Sequence, residues 1–149
     1  MQDTKELVGR LSSTPTMEGW HEGEPTAHWR VGFPLPALEN SLVLIMETKP
    51  WAGLGTHTDS AEEILFVLEG AIEARVGDER VELAQGEMAI VPELVPHGFD
   101  TAGERPARVL GFFPTNSVHS VFERPIMPLG ATEVSIPLPP EALAELGLG

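Results

Sequence analysis

His57, Asp59 and Glu63 crowd the mouth of an apolar run that ends at Gly70, and His97 follows in a second segment beginning at Gly86. Alternate side chains of a strand share a face, so His57 and Asp59 project together. If Glu63 faces inward at the start of the next strand, Leu65 and Val67 face inward with it, leaving Ile64, Phe66 and Leu68 on the other side. Val95, His97 and Phe99 alternate onto one face and set that histidine among apolar groups. Imidazoles and carboxylates together suit a divalent first-row transition metal better than a thiolate-seeking or purely oxygen-seeking ion. Two histidines and one carboxylate with open positions is the arrangement in which non-haem iron binds substrate or oxygen.

The elements that must carry these residues are short strands. Residues 27–33 alternate, with Trp29, Val31 and Phe33 on one face, while 41–48 form a continuous apolar run suited to burial on both faces. A glycine-rich bend at 53–55 and a polar turn through His57 lead into a strand over 63–68. After Gly70 come 71–76, a Gly77-Asp78 hairpin turn, a short 81–83, then 88–91 stopped by Pro92, 95–99 and 107–113. Turn signals recur about every 8–12 residues, the pattern of a sandwich or barrel. Residues 1–26 read as polar with at most a short helix near 3–8. From Pro114 the chain reads as irregular, with a short helix near 140–146. The expectation is a single domain over 1–149, its core barrel at about 27–113 and an irregular extension over 114–149.

The spacing resembles that of the cupins, whose fold is a double-stranded β-helix, or jelly roll. Their first motif reads G-x5-H-x-H-x3–4-E-x6-G and their second G-x5-P-x-G-x2-H-x3-N; His57, Asp59, Glu63 and Gly70 fit the first, and Gly86, Pro92 and His97 the second. The resemblance covers roughly 42–113 and implies an all-β jelly-roll barrel with short terminal extensions. It also implies one divalent transition metal (Fe, Mn, Ni, Zn or Cu) on His57, Asp59, Glu63 and His97. Four positions depart from the pattern: Trp51 replaces the first glycine, Leu94 a second-motif glycine, Thr101 the terminal asparagine and Asp59 the second histidine.

The last exchange alters the chemistry. Three neutral histidines and one glutamate leave a divalent ion with a net positive charge; an aspartate in place of one histidine neutralises it and weakens the ion as a Lewis acid. Three roles for Asp59 stay open: a metal ligand, an outer acceptor or general base over a His57/Glu63/His97 site, or part of a pocket that binds without metal. Asp59 and Glu63 are the candidate catalytic groups. Trp51 and Phe99 are the candidate lining of a pocket at the barrel mouth, and Glu62 is a solvated neighbour of Glu63. His21, His28 and His119 lie outside both motifs and read as surface or hydrogen-bonded packing.

Composition bounds the rest. The 149 residues carry 23 acidic and 9 basic side chains, a net charge of −14, with no cluster of Lys or Arg, which disfavours nucleic acid and anionic membranes as partners. The absence of cysteine excludes disulfides, thiolate metal sites and a cysteine nucleophile. No run has signal-peptide or membrane-spanning character, so the expected location is cytoplasmic. The expected function is a metal-dependent reaction on a small organic molecule, of the cupin dioxygenase (oxidoreductase) kind. A non-catalytic binding or sensing module and a metal-dependent isomerase or lyase are the alternatives. Apolar outward faces on 41–48 and 63–68 lead to the expectation of a homodimer.

Overall fold

The computed structural model describes residues 7–24 and 27–138. After a 3-10 turn at Leu11–Ser13, the described chain is built from twelve strands. These are β1 (Thr16–His21), β2 (Trp29–Gly32), β3 (Leu42–Thr48), β4 (Gly53–Asp59), β5 (Glu63–Glu69) and β6 (Ala71–Val76). They are followed by β7 (Glu79–Ala84), β8 (Met88–Val91), β9 (His97–Thr101), β10 (Ala107–Phe113), β11 (Val118–Met127) and β12 (Ala131–Ile136).

Hydrogen bonding runs β7-β6-β9-β4-β11-β1-β2-β3-β10-β5-β8, with β12 added beside β11. Every pairing is antiparallel. Strand β1 joins the two walls: Thr16–Gly19 pair with β2, and Trp20 and His21 with β11. The result is a nearly closed jelly-roll barrel, as the sequence implied.

Period-two patterning explains why it closes around one core. Glu63, Leu65 and Val67 are buried while Ile64, Phe66 and Leu68 are half-buried, the inward and outward split expected for β5. On β3 both faces are largely buried, in keeping with its unbroken apolar run. Leu44, Met46, Leu65, Val109, Phe113, Phe99 and Phe122 converge from both walls on the interior. Val76 pairs with Glu79 across the Gly77-Asp78 turn, where Gly77 supplies the positive φ of 58° that such a tight hairpin needs.

Three expectations need correction. Residues 16–21 form strand β1, although their scattered Gly and charged residues hide an alternation in which Gly19 and His21 are buried. The bend at 53–55 and the first part of the polar turn, as far as Asp59, instead form strand β4, because flanking β9 and β11 pair its backbone on both sides, with a register shift against β9 between Leu54 and His57. The segment after Pro114 is not irregular through its length: β11 and β12 span most of 118–136 and complete the wall beside β4. The helix suggested near 3–8 falls largely, and the one near 140–146 wholly, outside the described residues.

Trp51 and Leu94, at two positions where the resembled motifs have glycine, take the left-handed conformation, with φ of 65° and 62°. The backbone keeps the turns and the sequence meets them with bulky residues, at roughly 1–2 kcal/mol each. The Leu94 turn is tied to the site, since its N–H donates to the carbonyl of Asp59 over 2.9 Å.

Candidate metal centre

Strands β4, β5, β9 and β11 bring the chemistry-bearing residues together inside the barrel. His57 and Asp59 come from the end of β4, Glu63 from the start of β5 and His97 from the start of β9, where His57 and His97 face each other across the pairing of the two strands. All four are at most 6% exposed. The site therefore lies within the apolar interior and not on an open rim.

Backbone carbonyls fix both imidazoles. The Nδ1 of His57 lies 2.8 Å from the Gly55 carbonyl, and the Nδ1 of His97 lies 2.9 Å from the Val95 carbonyl. A carbonyl can only accept, so each Nδ1 carries a proton, and Nε2 is the atom that each ring, when neutral, offers to a metal. Phe122 stacks on His57 with centroids 4.4 Å apart and holds the ring in place.

Asp59 is oriented in the same way. Ser120 on β11 donates to its Oδ1 over 2.5 Å. The free Oδ2 then lies 3.0 Å from the Nε2 of His97 and 3.7 Å from that of His57. Glu63 Oε1 approaches the Nε2 of His97 to 3.4 Å. One ligand atom each from His57, Asp59 and His97 fit within 4.8 Å of one another, the spread of atoms that share one ion. Asp59 Oδ2 and His97 Nε2 are buried yet make no aligned hydrogen bond. Buried polar atoms without an aligned partner are costly unless something satisfies them, and a divalent cation between His57, Asp59 and His97, with the Glu63 carboxylate beside it, would do so.

The electrostatics are those of a cation site closed around a proton. Burial lowers the pKa of His57 to about 4, with His97 adding to the shift and Asp59 opposing it. Burial would lower His97 as well, but the carboxylates of Asp59 and Glu63 outweigh it and raise the imidazole to about 10. Asp59 is held below the usual carboxylate range: burial opposes this, and His97, His57 and the Ser120 hydroxyl prevail. Burial pushes Glu63 up to about 7, His97 pulling the other way.

A metal must displace the proton on His97, so apparent affinity should rise with pH, roughly tenfold per unit between about pH 7 and 9 for one proton released. Below about pH 7 the rise should be steeper, because Glu63 must also lose a proton. Chelator competition at several pH values measures this; an affinity that does not change with pH would contradict ligation through His97.

Above the cluster is a cavity of about 110 Å³, lined mostly by apolar side chains that include Trp29, Leu44, Leu54, Phe99, Phe113 and Phe122. Phe99 lines it as expected. Trp51 does not: it stands in a left-handed turn and is 75% exposed. Trp29 on β2 is the tryptophan that lines the cavity.

Ser120, Phe122 and Gly111 also escaped the sequence reading. The alternation of Val118, Ser120 and Phe122 was the available signal for the first two. Gly111 had none: a Cβ there would lie 2.5 Å from Glu63 Oε2, so its bare backbone makes the space the carboxylate occupies. The three remaining histidines are packing or surface groups. His21 is buried and its Nε2 accepts from the Gly55 N–H, His28 stacks on Trp20, and His119 is exposed beside Glu133.

Residues 44–113, which span β3 to β10, match the family described as Cupin domain. Over these residues the chain is a cupin domain. Solved cupin structures superimpose on it at low sequence identity. A sugar phosphate isomerase of the cupin superfamily from Silicibacter pomeroyi aligns with a TM-score of 0.62 at 17% identity, over 76% of this chain and 80% of that one. A predicted oxalate decarboxylase from Thermotoga maritima gives 0.62 at 17%, over 72% and 98%. The polyketide cyclase RemF from Streptomyces resistomycificus gives 0.60 at 20%, over 78% and 80%. No curated protein matches the sequence. Among the described residues, no helix of this cupin is long and apolar enough to cross a membrane.

Proposed function

We propose that this cupin holds one divalent transition metal on His57, Asp59, Glu63 and His97 and uses it to transform a small, neutral, largely apolar organic molecule, most directly in a dioxygenase-type oxidation. The observation that supports it is the convergence of two orphaned buried atoms, Asp59 Oδ2 and His97 Nε2, with His57 Nε2 beneath an apolar cavity. When bound, the metal supplies an electrophilic centre with open positions for substrate and oxygen. The protein's own groups orient it through the Gly55 and Val95 carbonyls and the Ser120 hydroxyl. The apolar wall excludes water.

Charge supports a neutral ligand. Two carboxylates and two neutral imidazoles cancel a divalent charge, and among the described residues no lysine or arginine lines the cavity. The strand arginines are engaged elsewhere: Arg30 with Glu18, Arg75 with Asp100 and Arg108 with Glu47. Oxygen consumption by ferrous-loaded protein, screened against small phenols and aromatic ketones, tests the oxidative reading. Loss of a compound with matching oxygen uptake is expected.

A second reading, a metal-dependent isomerase, lyase or cyclase, needs the same metal ligands and the same apolar cavity but no oxygen. The sugar phosphate isomerase, oxalate decarboxylase and polyketide cyclase among the structural neighbours fit this class. Turnover that proceeds without oxygen would select it over the oxidase reading. Tight ligand binding with no turnover under any metal would leave a binding module.

We also propose a homodimer. Ile64, Phe66, Leu110 and Phe112 share the outer face of β5 and β10, and Met88 and Ile90 extend it onto β8 at 59% and 65% exposure. Contiguous apolar surface of this kind marks an interface, and a patch without charge is complementary to its own copy. Sedimentation should give a dimer at micromolar concentration and a monomer for Ile90→Glu; a monomeric wild type would contradict it.

A further inference from the structure

Among the described residues, four buried side-chain atoms lack a hydrogen-bond partner: His21 Nδ1, Trp29 Nε1, Asp59 Oδ2 and His97 Nε2. The last two belong to the metal centre. His21 does not line the cavity, and its other ring nitrogen is already satisfied by Gly55. Trp29 is different, because it lines the cavity, is 7% exposed, and its indole N–H can only donate.

The ring is held by packing. Its six-membered edge lies across Gly19 on the neighbouring strand β1, where a Cβ would overlap it. Gly19 and Trp29 are direct partners in the β1–β2 ladder, so the glycine is what gives the indole its place. A donor that a fold both fixes and leaves unpaired beside a cavity is satisfied most simply by what enters the cavity.

We propose that Trp29 Nε1–H is a ligand-positioning donor, and that the small molecule of this cavity is a neutral, mainly apolar compound, aromatic by preference, carrying an acceptor oxygen for it. This rests on the reading of the cavity as the small-molecule site. Aromatic character follows from the walls: Phe33, Phe99, Phe113 and Phe122 are joined by Met17, Met46 and Met127, whose thioethers make favourable contacts with aromatic rings and adapt to their outline. A ligand lacking the oxygen would leave the indole donor desolvated and unpaired, so the site discriminates by hydrogen bonding as well as shape.

The test uses two probes of nearly the same shape, acetophenone and α-methylstyrene, which exchange a carbonyl oxygen for a methylene group. Titrated into the purified wild-type protein, acetophenone should bind more tightly than α-methylstyrene by roughly three- to tenfold, the range of one net hydrogen bond. In Trp29→Phe, which keeps an aromatic ring and removes the donor, the preference should vanish. Independently of that variant's folding, the wild-type indole N–H resonance of Trp29 should move on adding acetophenone and much less with α-methylstyrene. Equal binding of the two probes to wild type overturns the donor role while leaving the cavity as a ligand site. A preference that persists in Trp29→Phe also overturns the donor role. If neither probe binds, the ligand class and the reading of the cavity both fall, whereas metal uptake continues to report on the metal centre separately.

Discussion

Alanine at His57, Glu63 or His97 is expected to eliminate tight metal binding while leaving a folded barrel. Loss of an outer-shell partner alone typically lowers metal affinity 10- to 100-fold, so removing a ligand should lower it by more than about a hundredfold. Folding should survive because these side chains carry unfavourable burial of their own. Burial disfavours the charged form of His57 and of Glu63, and His97 is stabilised only by carboxylates that are themselves desolvated. The destabilisation should stay within the roughly 0.5–3 kcal/mol of ordinary substitutions. Metal content by elemental analysis, together with thermal melts of metal-free samples, measures both parts. A variant that retains wild-type metal would remove that residue from the set of ligands.

Asp59 should give the second large effect. Asp59→Asn keeps the shape and removes the charge. With Ser120 occupying Oδ1 and Oδ2 directed at both imidazoles, metal content should fall clearly if this oxygen is a ligand. Metal retained with turnover lost would instead make Asp59 a base beside a three-residue site. Asp59→His gives the three-histidine shell of the family motif and returns a positive charge to the loaded site. Nickel, copper and zinc should then tighten more than manganese, because added imidazole favours those ions. Competition among the metals at fixed pH reads this ordering directly.

The four candidate ligands were legible because strand chemistry is periodic: spacings in the sequence become shared faces once β4, β5 and β9 pair. What closes the site from the far side was not legible. Ser120 and Phe122 sit on β11, whose alternation is interrupted by the charged and proline residues around Glu123–Pro125, and whose pairing with β12 shifts register after Val121. Strand β4 looked like a turn because Gly53, Gly55 and its polar residues have weak strand propensity; its neighbours impose the conformation. Trp51 misled because a large aromatic residue near a motif suggests a pocket wall, yet it is exposed to solvent. The alternation puts Trp29 on one face with Val31 and Phe33, but its place against the cavity depends on Gly19, a contact between strands that local pattern does not encode.

Anomalous X-ray scattering from crystals of the metal-loaded protein, collected on both sides of the metal's absorption edge, tests the central claim most directly. The account predicts one peak inside the barrel, about 2.0–2.2 Å from the Nε2 atoms of His57 and His97 and from Asp59 Oδ2, with Glu63 drawn in as a further ligand. No peak at this position after loading with iron, manganese, nickel, zinc or copper, or a peak bound only to surface carboxylates, would contradict it.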